Sequence, residues 1–171
     1  MSGEARRQQI QVILAENESP VTGGELARRF GVSRQVIVQD VALLRAQGHT
    51  ILATPQGYLL SRDNPQPLHR RTFAVSHGAQ ELEQELNAIV DCGGRVIDVT
   101  VEHPLYGELR GLLMVSSRRE VEEFITKLRT SGAAPLSLLT SGVHLHTVEA
   151  LSPEVLDRIQ EKLEALGFLV G

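Results

Sequence analysis

Six histidines stand in this chain, at positions 49, 69, 77, 103, 144 and 146, and their spacing is where its chemistry concentrates. His144-Leu145-His146 falls inside 143–148, a run whose composition reads as a β-strand. Alternate residues of a strand share a face, so both imidazoles point the same way and offer one ion two nitrogen ligands. A solvated histidine pair on a polar strand face is the plain alternative for an isolated His-x-His. His77 adds to the metal reading, because it ends a predicted strand over 72–76 and precedes a helix, where loop residues converge on a sheet edge. Glu85 lies eight residues on, between Leu82 at i−3 and Ile89 at i+4, so it flanks that helix's apolar stripe. His77, Glu85, His144 and His146 would supply three imidazoles and one carboxylate, a donor set for Zn²⁺, Ni²⁺ or Fe²⁺ and not for Ca²⁺ or Mg²⁺. Spacing alone admits Glu81 or Glu83 in place of Glu85.

His103 opens the segment His103-Pro104-Leu105-Tyr106-Gly107-Glu108, read as the connection between two antiparallel strands. Strict alternation over 96–102 puts Ile97, Val99 and Val101 on one face and Asp98, Thr100 and Glu102 on the other. His103 then falls on the apolar face, either as a core histidine bonded to backbone or as a contact beside the metal, with Tyr106 and Glu108 near it. Thr140-Ser141-Gly142 reads as a plain turn before the His-x-His strand, with hydroxyl and N–H donors for a small anion as the functional alternative. His49 and His69 read as solvent-exposed.

The elements that must position these residues occupy the second half. From Arg71 strands and helices alternate: a strand over 72–76, a helix carrying Leu82, Leu86, Ile89 and Val90, strands over 96–102 and 112–115, and a helix opened by the capping box Ser117-Arg118-Arg119-Glu120. A short strand near 136–139, the strand over 143–148 and a last helix from Ser152-Pro153 complete the order. That succession describes an α+β sandwich, helices over one face of a mostly antiparallel sheet.

The first half is of another kind. Helix one spans about 5–15 with Ile10, Ile13 and Leu14 on one face. Helix two is announced by Thr22-Gly23-Gly24-Glu25 and ended by Gly31. Ser33 caps a third helix whose Ile37, Val41 and Leu44 form a buried stripe, while Gln35 and Gln39 fall on the opposite face beside Arg34. Glutamine bonds adenine and arginine bonds guanine bidentately in a major groove, so this helix reads as a recognition helix. Ile51-Leu52-Ala53 and Tyr58-Leu59-Leu60 flank a turn and make a hairpin wing. The result is a winged helix-turn-helix over 1–62, a Pro-containing linker over 63–71 and an α+β domain over 72–171. Thr22, Ser33 and the wing residue Gln56 would lie near phosphate. A winged helix that binds only protein is the alternative.

Charge agrees with that division. Residues 1–62 hold seven Lys and Arg against five Asp and Glu, a balance of +2, and the remainder holds ten against sixteen, a balance of −6. A module this modestly basic binds DNA better as a dimer, because phosphate neutralisation adds across subunits. One cysteine, Cys92, excludes an internal disulfide framework. Without a signal-peptide pattern or an apolar run of membrane-spanning length, the expectation is a cytoplasmic protein with no membrane partner.

With both halves in view, the chain resembles the niacin-responsive transcriptional repressors, which pair a winged helix with a three-histidine (3H) domain. The likeness covers nearly the full length. It rests on SRQVIVQDVALLRAQGHTILATPQGYLL, VSHGAQELEQE, VEHPLYGE and LTSGVHLHTVEA, in that order. The resemblance implies one divalent transition metal per chain (Ni, Zn or Fe) on His77, Glu85, His144 and His146. It implies nicotinic acid as effector, for which the reading of the residues offers His103, Tyr106 and Thr140 as candidate contacts. It further implies double-stranded operator DNA of NAD-biosynthesis or niacin-uptake genes as target, read by a homodimer, and no enzymatic activity. Two rivals are a regulator for which the metal itself is the signal and a metal-dependent hydrolase with Glu108 as base.

Overall fold

The computed structural model describes residues 1–62 and 68–171. The chain divides into two compact units, Met1–Asn64 and Pro65–Gly171. In the first, three helices, α1 (Gly3–Glu16), α2 (Gly23–Phe30) and α3 (Arg34–Ala46), precede a hairpin of β1 (Ile51–Thr54) and β2 (Gly57–Leu60). Each helix begins where a hydroxyl accepts an otherwise unpaired amide: Ser2 from Ala5, Thr22 from Glu25 and Ser33 from Val36. Their apolar stripes close one core, including Ile10, Leu14, Leu26, Ile37, Val41 and Leu44. The hairpin is pinned to that core by a bridge from Tyr58 to Val21. Gly57 makes the approach possible, since at φ +129° a Cβ there would stand 2.5 Å from the Val21 carbonyl oxygen.

One polar residue belongs to this core, and periodicity did not single it out. Asp40 of α3 is 3% exposed. Arg6 of α1 donates to it from Nε at 2.6 Å, and Arg7 Nη1 lies at 3.5 Å. A buried carboxylate needs such partners, and here they tie α1 across α3.

The second unit contains β3 (His69–Ser76), α4 (Leu82–Asp91), β4 (Arg95–His103), β5 (Gly107–Val115), α5 (Arg118–Ser131), β6 (Val143–Ala150) and α6 (Pro153–Ala165). Its antiparallel sheet has the order β3-β6-β4-β5. On the outer side of β3, Ser76 N–H donates to the Phe168 carbonyl and Val170 N–H to that of Ala74, so the chain's last residues cover the edge. Directly opposed residues share a face. Phe73 opposes His146 and Val75 opposes His144, which sets both histidines on the face that α4 and α6 cover. Phe73, Val75, Leu86, Ile89, Val96, Val148, Ile159 and Leu163 fill the core between them.

Three expectations are corrected. The linker over 63–71 falls mostly on 63–67, outside the described residues, and its last three, His69–Arg71, already belong to β3. The segment near 136–139 is no strand but a 3₁₀ turn, Leu136–Thr140. Pro135 starts it, Leu138 N–H reaches back to the Pro135 carbonyl, and Gly142 N–H closes on Ser137, which leaves Leu138 and Leu139 about half exposed. Strict alternation in β4 also fails. Val96 opposes Val148 and Asp98 opposes Thr147, so Ile97 is an extra, bulged residue and Asp98 is buried.

Asp40→Ala is expected to strand the Arg6 guanidinium against the first core and to cost about 2–3 kcal/mol. Urea unfolding followed by far-ultraviolet circular dichroism measures this, and metal affinity should stay unchanged.

Candidate metal centre

The side chains singled out by spacing come together between α4 and the sheet. Glu85 is fully buried, His144 and His146 are within 2% of it, and the His77 side chain is 2% exposed. α4 turns Glu85 inward beside Leu82 and Leu86, so the carboxylate points to the sheet and not to water. Glu81 and Glu83 are occupied elsewhere: Glu81 accepts from the Gly78 amide at 2.5 Å, and Glu83 lies 3.4 Å from Arg129 Nη2. Glu85 is therefore the carboxylate that the fold selects.

The three rings share one arrangement. Nδ1 of His77 lies 2.8 Å from the Gly78 carbonyl, that of His144 2.8 Å from the Gly142 carbonyl, and that of His146 2.8 Å from the Asp98 carbonyl. A carbonyl only accepts, so every Nδ1 carries its proton and every Nε2 is turned to Glu85. His146 Nε2 stands 2.6 Å from Oε1 of Glu85, His144 Nε2 3.2 Å from Oε2, and His77 Nε2 also contacts Oε2. The ligand atoms of His77, Glu85 and His144 lie within 4.8 Å of one another. Gly142 brings the two strand ends together: at φ +102° a Cβ would stand 2.6 Å from the His77 carbonyl oxygen.

This arrangement fits a metal. Nε2 of His77 and of His146 is buried close to a carboxylate oxygen yet has no hydrogen-bond alignment with it. Two ligands each about 2.1 Å from one ion stand about 3.0 Å apart at right angles, near the 3.2 Å between His144 Nε2 and Oε2 of Glu85, whereas His146 and His77 sit closer to the carboxylate. Backbone acceptors on every Nδ1 are the usual outer shell of a histidine metal site.

Charge points the same way. Burial pushes the Glu85 carboxyl up, but the charge of His146 and the hydrogen bond from His144 outweigh it and hold the group at about 2. For His146, burial pushes down, and the Glu85 carboxylate together with the Asp98 carbonyl raises it above its ordinary value.

The other expected contacts are dispersed. His103 ends β4, and its Nδ1 accepts from the amides of Leu105 and Tyr106 at 3.1 and 3.3 Å, so it caps its own turn. Its ring lies 5.1 Å from that of the exposed Tyr106. Thr140 donates its hydroxyl to the Val143 carbonyl, which leaves no hydrogen for a small anion. Thr140 does line a cleft of about 580 Å³, together with Thr100, Glu102, Glu108, His144 and Leu145. The cleft lies beyond Thr100–Leu145, the last pair of the β4–β6 ladder, and one candidate metal ligand, His144, forms part of its wall.

In the first unit, Arg34, Gln35 and Gln39 are all exposed on α3. Val38 is 39% exposed beside them, an apolar residue on the outer face and outside the Ile37, Val41 and Leu44 stripe. Thr22 and Ser33 are exposed, their hydroxyls accepting at the helix starts, and Gln56 sits in the wing turn with its Oε1 buried.

Comparison with known proteins agrees with both halves. Residues 6–59 match the HTH domain and residues 70–171 the 3H domain. The chain is 45% identical over 167 residues to the probable transcription repressor NiaR of Thermotoga maritima, covering 98% of this chain and 94% of that protein. It is 45% identical over 172 residues to the transcription repressor NadR of Bacillus subtilis, covering 99% and 96%. These relatives are named as regulators and not as enzymes.

A metal ion competes with a proton for His146, whereas Glu85, held at about 2, is already ionised. Apparent affinity for Zn²⁺, measured by competition with a chromophoric chelator, is expected to fall with decreasing pH. The fall should begin above pH 6.5, because the His146 value is raised and not lowered.

Proposed function

Because the chain belongs to the family of transcription repressors that join a helix-turn-helix domain to a 3H domain, we propose that it is a DNA-binding repressor of NAD-biosynthesis or niacin-uptake genes, controlled by nicotinic acid through a divalent transition metal. The observation that carries this reading is the buried His77–Glu85–His144–His146 cluster with a cleft against one of its ligands. Ni²⁺, Zn²⁺ or Fe²⁺ suits three imidazoles and one carboxylate. When bound, the ion supplies a Lewis-acidic position for the effector's carboxylate or ring nitrogen.

The chain's own residues set the terms of entry. Glu102 and Glu108 oppose each other across β4 and β5, and both line the cleft. Two carboxylates there repel an anion, so nicotinate depends on positive charge further in. Its response should therefore require the metal. His103 and Tyr106 belong to the β4–β5 turn and are not among the residues lining the cleft, and Thr140 shapes its wall with its hydroxyl donated to the Val143 carbonyl.

In the first unit, α3 enters the major groove. Gln35 and Gln39 read adenine and Arg34 reads guanine, while Val38 packs against a thymine methyl. Thr22 and Ser33 place two helix N-termini beside phosphate, and Gln56 approaches the backbone from the wing. As a homodimer the protein reads two half-sites separated by a whole number of helical turns, about 10–10.5 bp each.

Fluorescence anisotropy on duplex DNA from the upstream region of the organism's own niacin or NAD genes tests this. Nicotinate is expected to shift operator affinity in metal-loaded protein and to leave chelator-stripped protein unaffected. A shift by metal alone would make the protein a metal sensor, and affinity indifferent to both would overturn the reading. Gln35→Ala is expected to weaken operator binding by about 1–3 kcal/mol with metal content intact.

A further inference from the structure

We propose that Asp98 is a positioning residue for the metal centre, holding His146 in its ligating orientation from the opposite side of the sheet. The proposal rests on the cluster being a metal site and adds a residue that donates no ligand atom to it.

The three rings do not obtain their Nδ1 acceptors in the same way. His77 uses the carbonyl of the next residue, Gly78, and His144 that of Gly142, two residues before it. His146 depends on a carbonyl 48 residues away, on a neighbouring strand. Its orientation is thus the one that tertiary structure alone decides. That carbonyl belongs to Asp98, the residue following the bulge at Ile97. A bulge disrupts the ladder locally and re-aims the groups around it. The irregularity extends into β5, where Met114 adopts φ +54°.

The bulge needs something to hold it, and the Asp98 side chain supplies it. One carboxylate oxygen, Oδ1, accepts the amide of Thr147 at 3.1 Å. The other, Oδ2, pairs with Arg110 Nε of β5 at 2.6 Å. Thr147 directly follows His146. The Asp98 carbonyl therefore takes the ring of His146 while its carboxylate takes the next amide of the same strand, a grip at two points. The side chain of Asp98 is 4% exposed although it opposes Leu112 and Thr147 on the face away from the helices, and Arg110 lies over it at 56% exposure. A solvated surface aspartate does none of this.

Co²⁺ binding to the full chain, read by chelator competition and by the ion's visible absorption, tests the role. Asp98→Ala is expected to weaken Co²⁺ by about 10–100-fold and to change the absorption envelope. Asp98→Asn, which keeps an acceptor for the Thr147 amide, should recover most of the affinity, and Arg110→Ala should lie between. Val121→Ala in α5, a buried truncation on a helix that supplies no member of the cluster, serves as a stability control and should leave Co²⁺ affinity unchanged. Unaltered affinity in Asp98→Ala, or an equal loss in Val121→Ala, would overturn the proposal. Long-range ¹H–¹⁵N spectra of the metal-free protein separate this from failure of the metal reading. If no variant binds Co²⁺, the metal site is wrong, yet His146 should still hold its Nδ1 proton in the unaltered chain and lose that preference in Asp98→Ala. An identical His146 signature in both would overturn the positioning role by itself.

Discussion

Three imidazoles and a carboxylate are packed into one buried space, and the rest of the second unit is arranged to keep them there. Burying a carboxylate is costly unless opposite charge or hydrogen bonds compensate. Turning three protonated Nδ1 atoms outward to carbonyls leaves only Nε2 atoms facing it. Either a proton or a cation must complete that space. The fold accepts this demand by bringing together a strand end, a helix face and a second strand: β3 and β6 are clamped at Gly142, and α4 lays Glu85 over both. Leu86, Ile89, Val75 and Val148 belong to the hydrophobic core of the same unit.

Much of this was legible in the sequence because period and chemistry coincide. His144 and His146 share a face for the reason any i, i+2 pair in a strand does, and β6 forms where the composition indicates. The capping hydroxyls of Thr22, Ser33, Ser117 and Ser152 all mark helix starts. The residues of α3 divide into buried Ile37, Val41 and Leu44 and exposed Gln35 and Gln39, as 3.6-residue periodicity requires. Glu85 was ambiguous among three glutamates on spacing and was distinguished by the family motif. In the structure it is the one of the three with no competing partner outside the cluster.

What escaped the sequence depends on contacts between distant segments. The bulge at Ile97 has no local signature, since Val-Ile-Asp-Val-Thr-Val alternates well enough to read as a regular strand. Only pairing with β6 and β5 reveals that Asp98 is buried and that its carbonyl serves a histidine. Asp40 is similar: a lone acid within an amphipathic helix looks exposed until α1 delivers Arg6 to it. The turn over 136–140 was mistaken for a strand because Leu-Ser-Leu-Leu is apolar. Its backbone instead closes on itself through Ser137 and Pro135.

The central claim is that these four side chains hold one ion, and anomalous diffraction from crystals of the metal-loaded protein tests it most directly. The account requires a single anomalous peak between α4 and β6, with Nε2 of His77, His144 and His146 and an oxygen of Glu85 each about 2.0–2.2 Å away. A peak bound by other groups, or none at this position in crystals grown with excess metal, would contradict it.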